Sequence, residues 1–417
     1  MSRSRLPKLR FPEFRDAGEW EETPLGRLGE LISGLTYSPD DVRETGLLVL
    51  RSSNVQSGEI SLDDCVYVAP GIKGANLSLP NDILICVRNG SAALIGKNAL
   101  IPEEMPLCTH GAFMTVFRSK SAKFVFQLFQ TEKYQRQVAG DLGATINSIN
   151  GSQLVKYKFV VPKSKEQQII ADCLSSLDEL IILEAQKLVT LKAHKKGLMQ
   201  QLFPRDGETV PKLRFPEFRD KGEWEKNQLG TLSIIVRGGS PRPIEAYLTR
   251  DINGLNWLKI GDVDKESKYV TRTEERVKES ALSKTRVVNP GDLIMSNSMS
   301  FGRPYILKIK SCIHDGWIAV TEISNSIDRD YLYYLILSNE SQVYFSNAAA
   351  GGGVKNLNAD IIKALLVAFP KKPEQQKIAD CLTSIDDLIT AQTNKLEALK
   401  AHKKGLMQQL FPSPEGV

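Results

Sequence analysis

Residues 166–204 read EQQIIADCLSSLDELIILEAQKLVTLKAHKKGLMQQLFP, and residues 374–412 read EQQKIADCLTSIDDLITAQTNKLEALKAHKKGLMQQLFP. The two stretches agree at 28 of 39 positions, at an offset of 208. Each lacks proline before its final residue and is rich in Leu, Lys, Gln and Ala, so each predicts a long helix. Pro162 and Pro370 precede the helices, and Pro204 and Pro412 close them. With Ile170 at position a of a heptad, the a sites are Ile170, Leu177, Glu184, Leu191 and Leu198, and the d sites are Leu174, Ile181, Leu188, Lys195 and Leu202. The second copy places Ile378, Ile385, Gln392, Leu399 and Leu406 at a, with Leu382, Ile389, Leu396, Lys403 and Leu410 at d. Eight of ten sites are apolar in each copy, and the polar interruptions fall at the same places. Such a seam requires a partner helix, and the other copy is the nearest one, which predicts an intramolecular two-helix coiled coil. About 36 helical residues would make a rod of roughly 54 Å, able to hold two domains a fixed distance apart. The competing reading packs each helix on its own domain alone.

Outward from the helices the chain is written twice. PKLRFPEFRDAGEWEETPLGRL begins at Pro7 and PKLRFPEFRDKGEWEKNQLGTL at Pro211, with 17 of 22 positions identical. Between leading segment and helix, each half holds a stretch of roughly 135 residues with little identity to its counterpart. Only a skeleton is shared there: VLRSSNV near Arg51 with LKIGDV near Lys259, PNDILI at Asp82 with PGDLIM at Asp292, CTH at Cys108 with CIH at Cys312, and INSIN ending at Asn150 with VKNLN ending at Asn358. A shared frame with divergent inserts implies one scaffold carrying two different reading heads. The LFP that ends the first helix leads within seven residues to the second PKLRFPEF, so joining the chain's two ends would complete a ring of two equal units.

Composition narrows the class. Hydrophobic residues make up 41% and charged residues 25% of 417, the balance of an ordinary globular protein, and the length suits two domains. No apolar run approaches the ~18 residues of a membrane helix. Charges and Pro12 interrupt the basic start before a secretory core can form, so a cytoplasmic protein is expected. Six cysteines without a CxxC pair make no disulfide framework. The formal charge of +5 alone does not establish a polyanionic partner.

Within the divergent stretches, short β-like runs alternate with turns. VLRSSNV, DCVYVA, DILICV and FMTVF predict strands in the first, and NWLKIGDV, KYVTRT, DLIMSN and WIAVTEI in the second, with helices near 125–137 and 331–344. The expected class is mixed α/β. Catalytic templates fail: GSAALIGK at 90–97 has five residues between its glycines where a phosphate loop has four, Asn98 stands where Ser or Thr would bind magnesium, and neither GxGxxG, GxSxG nor NPP occurs. Cys108 with His110, and Cys312 with His314, lack a standard zinc spacing, and half-buried strand residues are the better reading, so no metal site is expected. His194 and His402 sit among lysines in identical KAHKKG segments and suit a solvated basic face or a protein contact.

Polar and basic loop clusters fit nucleic acid instead. Arg51, Ser52, Ser53 and Asn54 follow the first strand signal; Arg88, Asn89 and Ser91 follow DILICV, with Lys97 beyond. In the second stretch the candidates are Arg237, Ser240 and Arg242 of RGGSPRP, Lys259 after NWL, and Ser296, Asn297, Ser298 and Arg303 after DLIM. Arg and Asn can read guanine and adenine edges bidentately, while Ser and Lys mostly position phosphates.

With these motifs in place, the chain resembles the specificity subunit of bacterial type I restriction-modification enzymes over nearly its whole length. The resemblance rests on the duplicated PKLRFPEF…GEWE segment, the two EQQ…LMQQLFP helices, the D-I/L-L/I-I strand with its polar loop, and RGGSPRP leading to NWLKIGD. It implies tandem target recognition domains at 1–165 and 205–373, conserved helices at 166–204 and 374–412 paired as an antiparallel coiled coil, a tail at 413–417, and a pseudo-two-fold internal repeat. Each domain would read one half of a split sequence on double-stranded DNA. The helices, through the seam Ile170, Leu174, Leu177, Ile181, Leu188, Leu191, Ile378, Leu382, Ile385, Ile389, Leu396 and Leu399, would set the unread spacer and dock two modification (methyltransferase) subunits. The chain would hold no catalytic residue and no cofactor; S-adenosylmethionine, ATP and magnesium would belong to the modification and restriction subunits. The alternatives are a stand-alone DNA-binding regulator without modification partners, and a nuclease with a cryptic carboxylate cluster.

Overall fold

The structure is a computed structural model that describes residues 5–142, 147–297, 301–349 and 357–412. The chain divides into two compact units, one of residues 1–185 with 394–417 and one of residues 186–393. The long helices run Ser164–Leu202 and Lys372–Leu410, and each contributes to both units.

Among the described residues the first unit holds two larger sheets beside the two-stranded pairings of Glu21–Pro24 with Lys158–Val161 and of Val55–Gln56 with Glu59–Ile60. Asn98–Leu100, Ile83–Cys86, Met114–Arg118 and Glu30–Ser33 form a four-stranded antiparallel sheet in that order. Val42–Arg43, Val66–Val68, Leu47–Leu50, Cys108–His110 and Leu77–Ser78 form the other, with Leu47–Leu50 and Cys108–His110 parallel. The second unit repeats the plan. Ile234–Arg237, Trp317–Thr321, Leu293–Ser296, Pro304–Leu307 and Tyr269–Val270 make one sheet; Leu248–Thr249, Glu275–Val277, Leu255–Leu258, Ser311–Ile313 and Arg286–Val288 make the other, again with one parallel pair at its centre. Each of the eight strand signals of the sequence contains a strand, but VLRSSNV and NWLKIGDV leave it after Leu50 and Leu258 for the 3-10 turns Ser52–Asn54 and Ile260–Asp262. The two expected helices are each broken in two. Ala122–Phe129 and Glu132–Asp141 are separated around Thr131, and Arg329–Leu337 and Asn339–Ala348 at Ser338, whose hydroxyl accepts from Ser341 N–H and so starts a new helix.

One correspondence read from the sequence is out of step. Arg51 and Lys259 occupy the same place, each at the start of a turn closed by a side chain three residues on: Arg51 N–H donates to Asn54 Oδ1 and Lys259 N–H to Asp262 Oδ2, both at 2.8 Å. From that anchor Leu50 matches Leu258, and the parallel ladders then pair His110 with Leu50 but Ile313 with Leu258. His110 therefore corresponds to Ile313, and CTH matches CIH by letter only. A ladder is registered by its hydrogen bonds and by which face is buried, not by coincident side chains. His110 is a buried structural residue whose Nε2 lies 2.9 Å from Ile32 O and Nδ1 2.9 Å from Ser78 Oγ. Those distances fit a neutral ring that donates from Nε2 and accepts at Nδ1. Among the described residues no group of three or more His, Cys, Asp or Glu is placed to hold a metal ion.

The repeated motifs explain themselves in packing. Glu166 receives a bidentate pair from Arg10 (Nε–Oε1 and Nη2–Oε2, both 2.8 Å), and Trp20 Nε1 donates to its Oε1 at 3.2 Å. Arg10 Nη1 reaches the carbonyl of Gly18, whose φ of +81° turns that oxygen inward. The second unit builds the same clasp from Arg214, Glu374 and Gly222, at 2.7, 2.8 and 2.6 Å. Gln167 and Gln375 donate to the carbonyls of Pro162 and Pro370, both at 2.8 Å, fixing the start of each long helix. At the other end, Leu9 N–H donates to Gln409 O and Leu213 N–H to Gln201 O, both at 2.9 Å, so each leading segment lies on the end of a long helix.

In the first unit, residues 164–185 run antiparallel to 394–410, since Asp178 pairs with Lys403 and Glu184 with Lys395. In the second, residues 186–202 meet 372–393 in the same sense: Lys195 pairs with Asp386, while Leu202 and Phe203 share a core with Ile378 and Leu382. Of the predicted seam, Ile170, Leu174, Ile378, Leu382, Ile385 and Leu396 are buried and Leu177, Ile181, Leu188, Leu191, Ile389 and Leu399 half-buried. The carboxylates opposite the lysines are held from a second side. Gln127 Nε2 donates to Asp178 Oδ2 at 2.8 Å and Tyr334 OH to Asp386 Oδ2 at 2.7 Å, so a sheet-domain helix, one long helix and the other are joined through each aspartate. Phe411 packs on Phe124 with ring centroids 5.9 Å apart, and Phe203 on Tyr331 at 5.5 Å.

Two predictions follow from this packing. Glu166→Ala leaves the Arg10 side chain, 9% exposed, without its partner; the expected loss is about 3–5 kcal/mol in urea unfolding, whereas the double replacement Arg10→Met with Glu166→Met is expected to cost only about 1–3 kcal/mol, for the Trp20 Nε1 donor it leaves unpaired. Burial lowers the pKa of His110, against a smaller upward pull from Ile32 O and Asp82. Below an unfolded-state pKa of about 6.5 the unfolded chain binds the extra proton first, so this contribution is present above that pH and lost as pH falls toward the lowered folded value. His110→Gln should flatten the fall in stability between pH 7.5 and 5.5 relative to the unaltered chain.

Candidate nucleic-acid interface

The candidate residues sit where strands end. In the first unit the loops after Leu47–Leu50 and Ile83–Cys86 meet, because Asn89 Nδ2 donates to Ser52 Oγ at 3.0 Å. Asn89 Oδ1 accepts from Ser91 N–H at 3.0 Å and its own N–H donates to Asn147 O, which fixes the turn at 89–91. Arg88 is exposed, with its backbone tied to Phe113 O and its guanidinium 5.8 Å from the centre of the Phe113 ring. Phe113 is 56% exposed, a large apolar ring left in solvent beside an arginine. Ser52, Arg88, Asn89, Ser91 and Phe113 thus form one polar and aromatic tip.

Two other candidates in this domain do different work. Asn54 is buried: its Oδ1 accepts from Arg51 N–H and its Nδ2 donates to Ser61 O and Asp64 O, both at 2.9 Å. It holds the turn, and a buried amide with those bonds made has nothing to offer a base edge. Arg51 Nη2 lies 2.7 Å from Asp64 Oδ2, so it carries a counter-ion of its own. Lys97 stands at the start of the edge strand Asn98–Leu100, with its carbonyl accepting from Cys86 N–H.

The second unit gathers four candidates around a residue that the sequence does not single out. Asp315 accepts from Ser240 Oγ at Oδ1 (2.9 Å), its N–H donates to the same oxygen (3.2 Å), and its carbonyl accepts from Arg237 Nε (2.9 Å) and Asn297 Nδ2 (3.3 Å). Arg242 Nη2 lies 3.6 Å from its Oδ2. Burial works to raise the Asp315 pKa, but the Ser240 hydrogen bond and the positive field of Arg237 and Arg242 work against it, and the carboxyl is held below its ordinary range. Arg237 and Arg242 remain exposed, Arg242 at 83% of its side chain, while Asn297 is buried and supports the loop. Lys259 is apart from this group and pairs with Glu275 at 3.1 Å, the counterpart of Arg51 with Asp64. Arg303 lies over Tyr305, 5.7 Å from its ring centre. Ser298 lies outside the described residues.

Both clusters belong to loops whose sequences differ while the strands beneath them correspond. A profile for the type I restriction modification DNA specificity domain matches the chain twice, over residues 17–193 and 221–401. The chain belongs to the type I restriction-modification specificity family. Members of this family are the DNA-recognising, non-catalytic subunits of their systems. The chain is 25% identical over 413 residues to the putative type I restriction enzyme MjaX specificity subunit of Methanocaldococcus jannaschii, covering 94% of this chain and 93% of that protein. It is 23% identical over 420 residues to the StySPI specificity subunit of Salmonella potsdam, covering 94% and 86%. Among solved structures, the type I restriction-modification S subunit from M. genitalium has the same fold with a TM-score of 0.63 at 15% identity, covering 98% of this chain and all of that one. A chain of a type I system studied for its assembly gives 0.55 at 18%, covering 94% and 96%. Among the described residues no helix of this specificity-family chain is long and apolar enough to cross a membrane.

The geometry separates residues that build the loops from those that present them. Asn54→Ala should cost about 1–3 kcal/mol for each buried group left unpaired, seen as a lower melting temperature. Arg88→Ala should move stability by less than about 0.5 kcal/mol while weakening binding to duplex DNA. Equal loss of DNA binding and of stability in both variants would contradict this assignment.

Proposed function

We propose that the chain is the sequence reader of a type I restriction-modification complex, with each sheet domain reading one half of a bipartite DNA target. The observation that carries this reading is the pair of unlike loop tips on like frames: Arg88, Asn89, Ser52 and Phe113 in one domain, Arg237, Ser240 and Arg242 about Asp315 in the other. Exposed arginines suit guanine edges and phosphates, and different loops on one scaffold suit two different half-sites. The boundaries at 165, 205 and 373 mark the exchangeable blocks, and the tail at 413–417 lies outside the described residues.

The long helices are the spacer element in this reading. Each continues without a break through 39 residues, contributing to both units, so its length sets how far apart its ends lie. The same helices would dock two modification subunits, which would supply S-adenosylmethionine and methylate adenine, while restriction subunits would bring ATP and magnesium. A stand-alone regulator built from the same heads would bind DNA without those partners.

Co-expression with the neighbouring modification genes, followed by genome-wide mapping of modified adenines, tests the reading. A split motif with a fixed gap is expected, and each half should follow its own block when residues 1–165 or 205–373 are exchanged with those of another family member. Inserting about four residues, roughly one helical turn, in one long helix should lengthen the gap and leave both half-sites unchanged. Altered half-site bases in that variant would count against the spacer role; absence of modification, with the chain purifying alone and still binding DNA, would favour the regulator.

A further inference from the structure

Asp315 spends every polar atom it has on residues of the second loop tip. Its N–H and Oδ1 both engage Ser240 Oγ, its carbonyl takes Arg237 Nε and Asn297 Nδ2, and its Oδ2 faces Arg242 Nη2. The bond from Arg237 uses Nε alone, and among the described residues its two outer nitrogens take part in no hydrogen bond or ion pair. Arg242, 3.6 Å from the carboxylate and largely in solvent, is steered without being locked. The neighbouring loop is drawn in as well, since Asn297 N–H donates to Gly316 O at 3.0 Å and Gly316 N–H to His314 Nδ1 at 2.9 Å. One residue thus ties the segment 237–242 to the segment 297 and to its own turn.

Among the described residues, the matching place in the first domain carries no such carboxylate. By the ladder register, in which His110 corresponds to Ile313, the residue matching Asp315 is Ala112. Ala112 holds its loop only through its backbone, donating to Leu35 O at 2.9 Å. A frame residue would recur in both copies, as Arg10 with Arg214 and Glu166 with Glu374 do. A carboxylate present on one head only, bonded to Ser240 and facing the exposed Arg242, belongs to what distinguishes the two heads.

We infer that Asp315 is a positioning residue whose carboxylate, bonded to Ser240 and facing Arg242, holds the 240–242 segment in the pose in which the second domain reads its half of the DNA target. This rests on the DNA-reading function proposed above. Two effects follow from the geometry. A long arginine side chain loses rotamer freedom on binding, and a carboxylate that steers Arg242 and holds its loop beforehand reduces that loss for the matching sequence. The same negative charge offsets the attraction of Arg242 for any phosphate, so it lowers affinity for unrelated DNA more than for the cognate half-site. Asp315 therefore raises discrimination from both directions.

The test uses the full chain with its modification subunits, comparing the unaltered protein with Asp315→Asn and, as a second approach to the same bond, Ser240→Ala. Readouts are the mapped methylation motif, and affinity for a duplex carrying that motif against an unrelated duplex of equal length over a salt series. In Asp315→Asn the half-site that follows residues 205–373 should accept additional bases, while the other half-site and the gap stay unchanged. The ratio of specific to unrelated affinity should fall about tenfold or more, the size of losing one base pair's discrimination. The salt dependence of unrelated binding should steepen by about one phosphate contact as Arg242 is released. Ser240→Ala should relax the same half-site. An unchanged motif and ratio in both variants would overturn the inference, as would equal degradation of both half-sites, which marks a fold-wide defect. If the unaltered complex shows no split motif at all, it is the DNA-reading proposal that falls, and this inference with it.

Discussion

Each unit is closed by helix ends that come from far away in the chain. The core of the first unit contains Leu410 and Phe411 beside Ile170 and Leu174, and that of the second contains Leu202 and Phe203 beside Ile378 and Leu382. Fully burying a leucine or phenylalanine is worth about 1.5–3 kcal/mol, so two such residues at each helix end hold a domain to a helix that begins beside the other one. Neither sheet domain owns all of its core. This is why the sequence repeats whole frames rather than isolated domains: the leading PKLR segment, the EQQ start and the LFP end are parts of one joint, made once between residues 9 and 409 and once between residues 213 and 201.

The polar breaks in the heptads fit the same economy of orientation. Burying an ammonium is costly unless it is paired, and replacing a buried ion pair by apolar groups is often neutral or stabilising, so Lys195 and Lys403 are poor choices for stability alone. Their aspartates are gripped from the far side by Tyr334 and Gln127, which lie on the first helix of the helical part in each sheet domain. A hydrophobic seam can slide or turn with little penalty, whereas an ion pair with a third partner has one satisfactory arrangement. Lys195 and Lys403 thus each orient a sheet domain on the helices.

The long helices, their seam and the strands beneath the loops were legible because each has a period: heptads over 39 residues, and short apolar runs between turns. The clasp motifs were visible as identities but not as chemistry, since Arg10 and Glu166 are 156 residues apart and no local pattern joins them. The alignment of CTH with CIH failed for the converse reason, a local identity with no hydrogen-bonded register behind it. Strands such as Glu30–Ser33 and Pro304–Leu307 escaped notice because polar ends in the one and a leading proline in the other interrupt the apolar run, and each is defined by its neighbours in the sheet.

Loop residues were the hardest to read, and the structure shows why. Asn54 and Arg88 belong to the same kind of polar cluster by composition, yet one is spent on three backbone partners and the other points into solvent over a phenylalanine ring. What separates them is whether the surrounding backbone has already used the side chain's donors and acceptors, a property of distant segments such as 61–64 and 113. Asp315 carries the point furthest. An aspartate after a strand is an ordinary turn residue in sequence, and only the approach of residues 237–242 and 297 makes it the centre of the second tip. Reading heads of this kind can diverge freely because their frame is held elsewhere, by the clasps and the helix ends, and a change of loop need not disturb the joint that carries it.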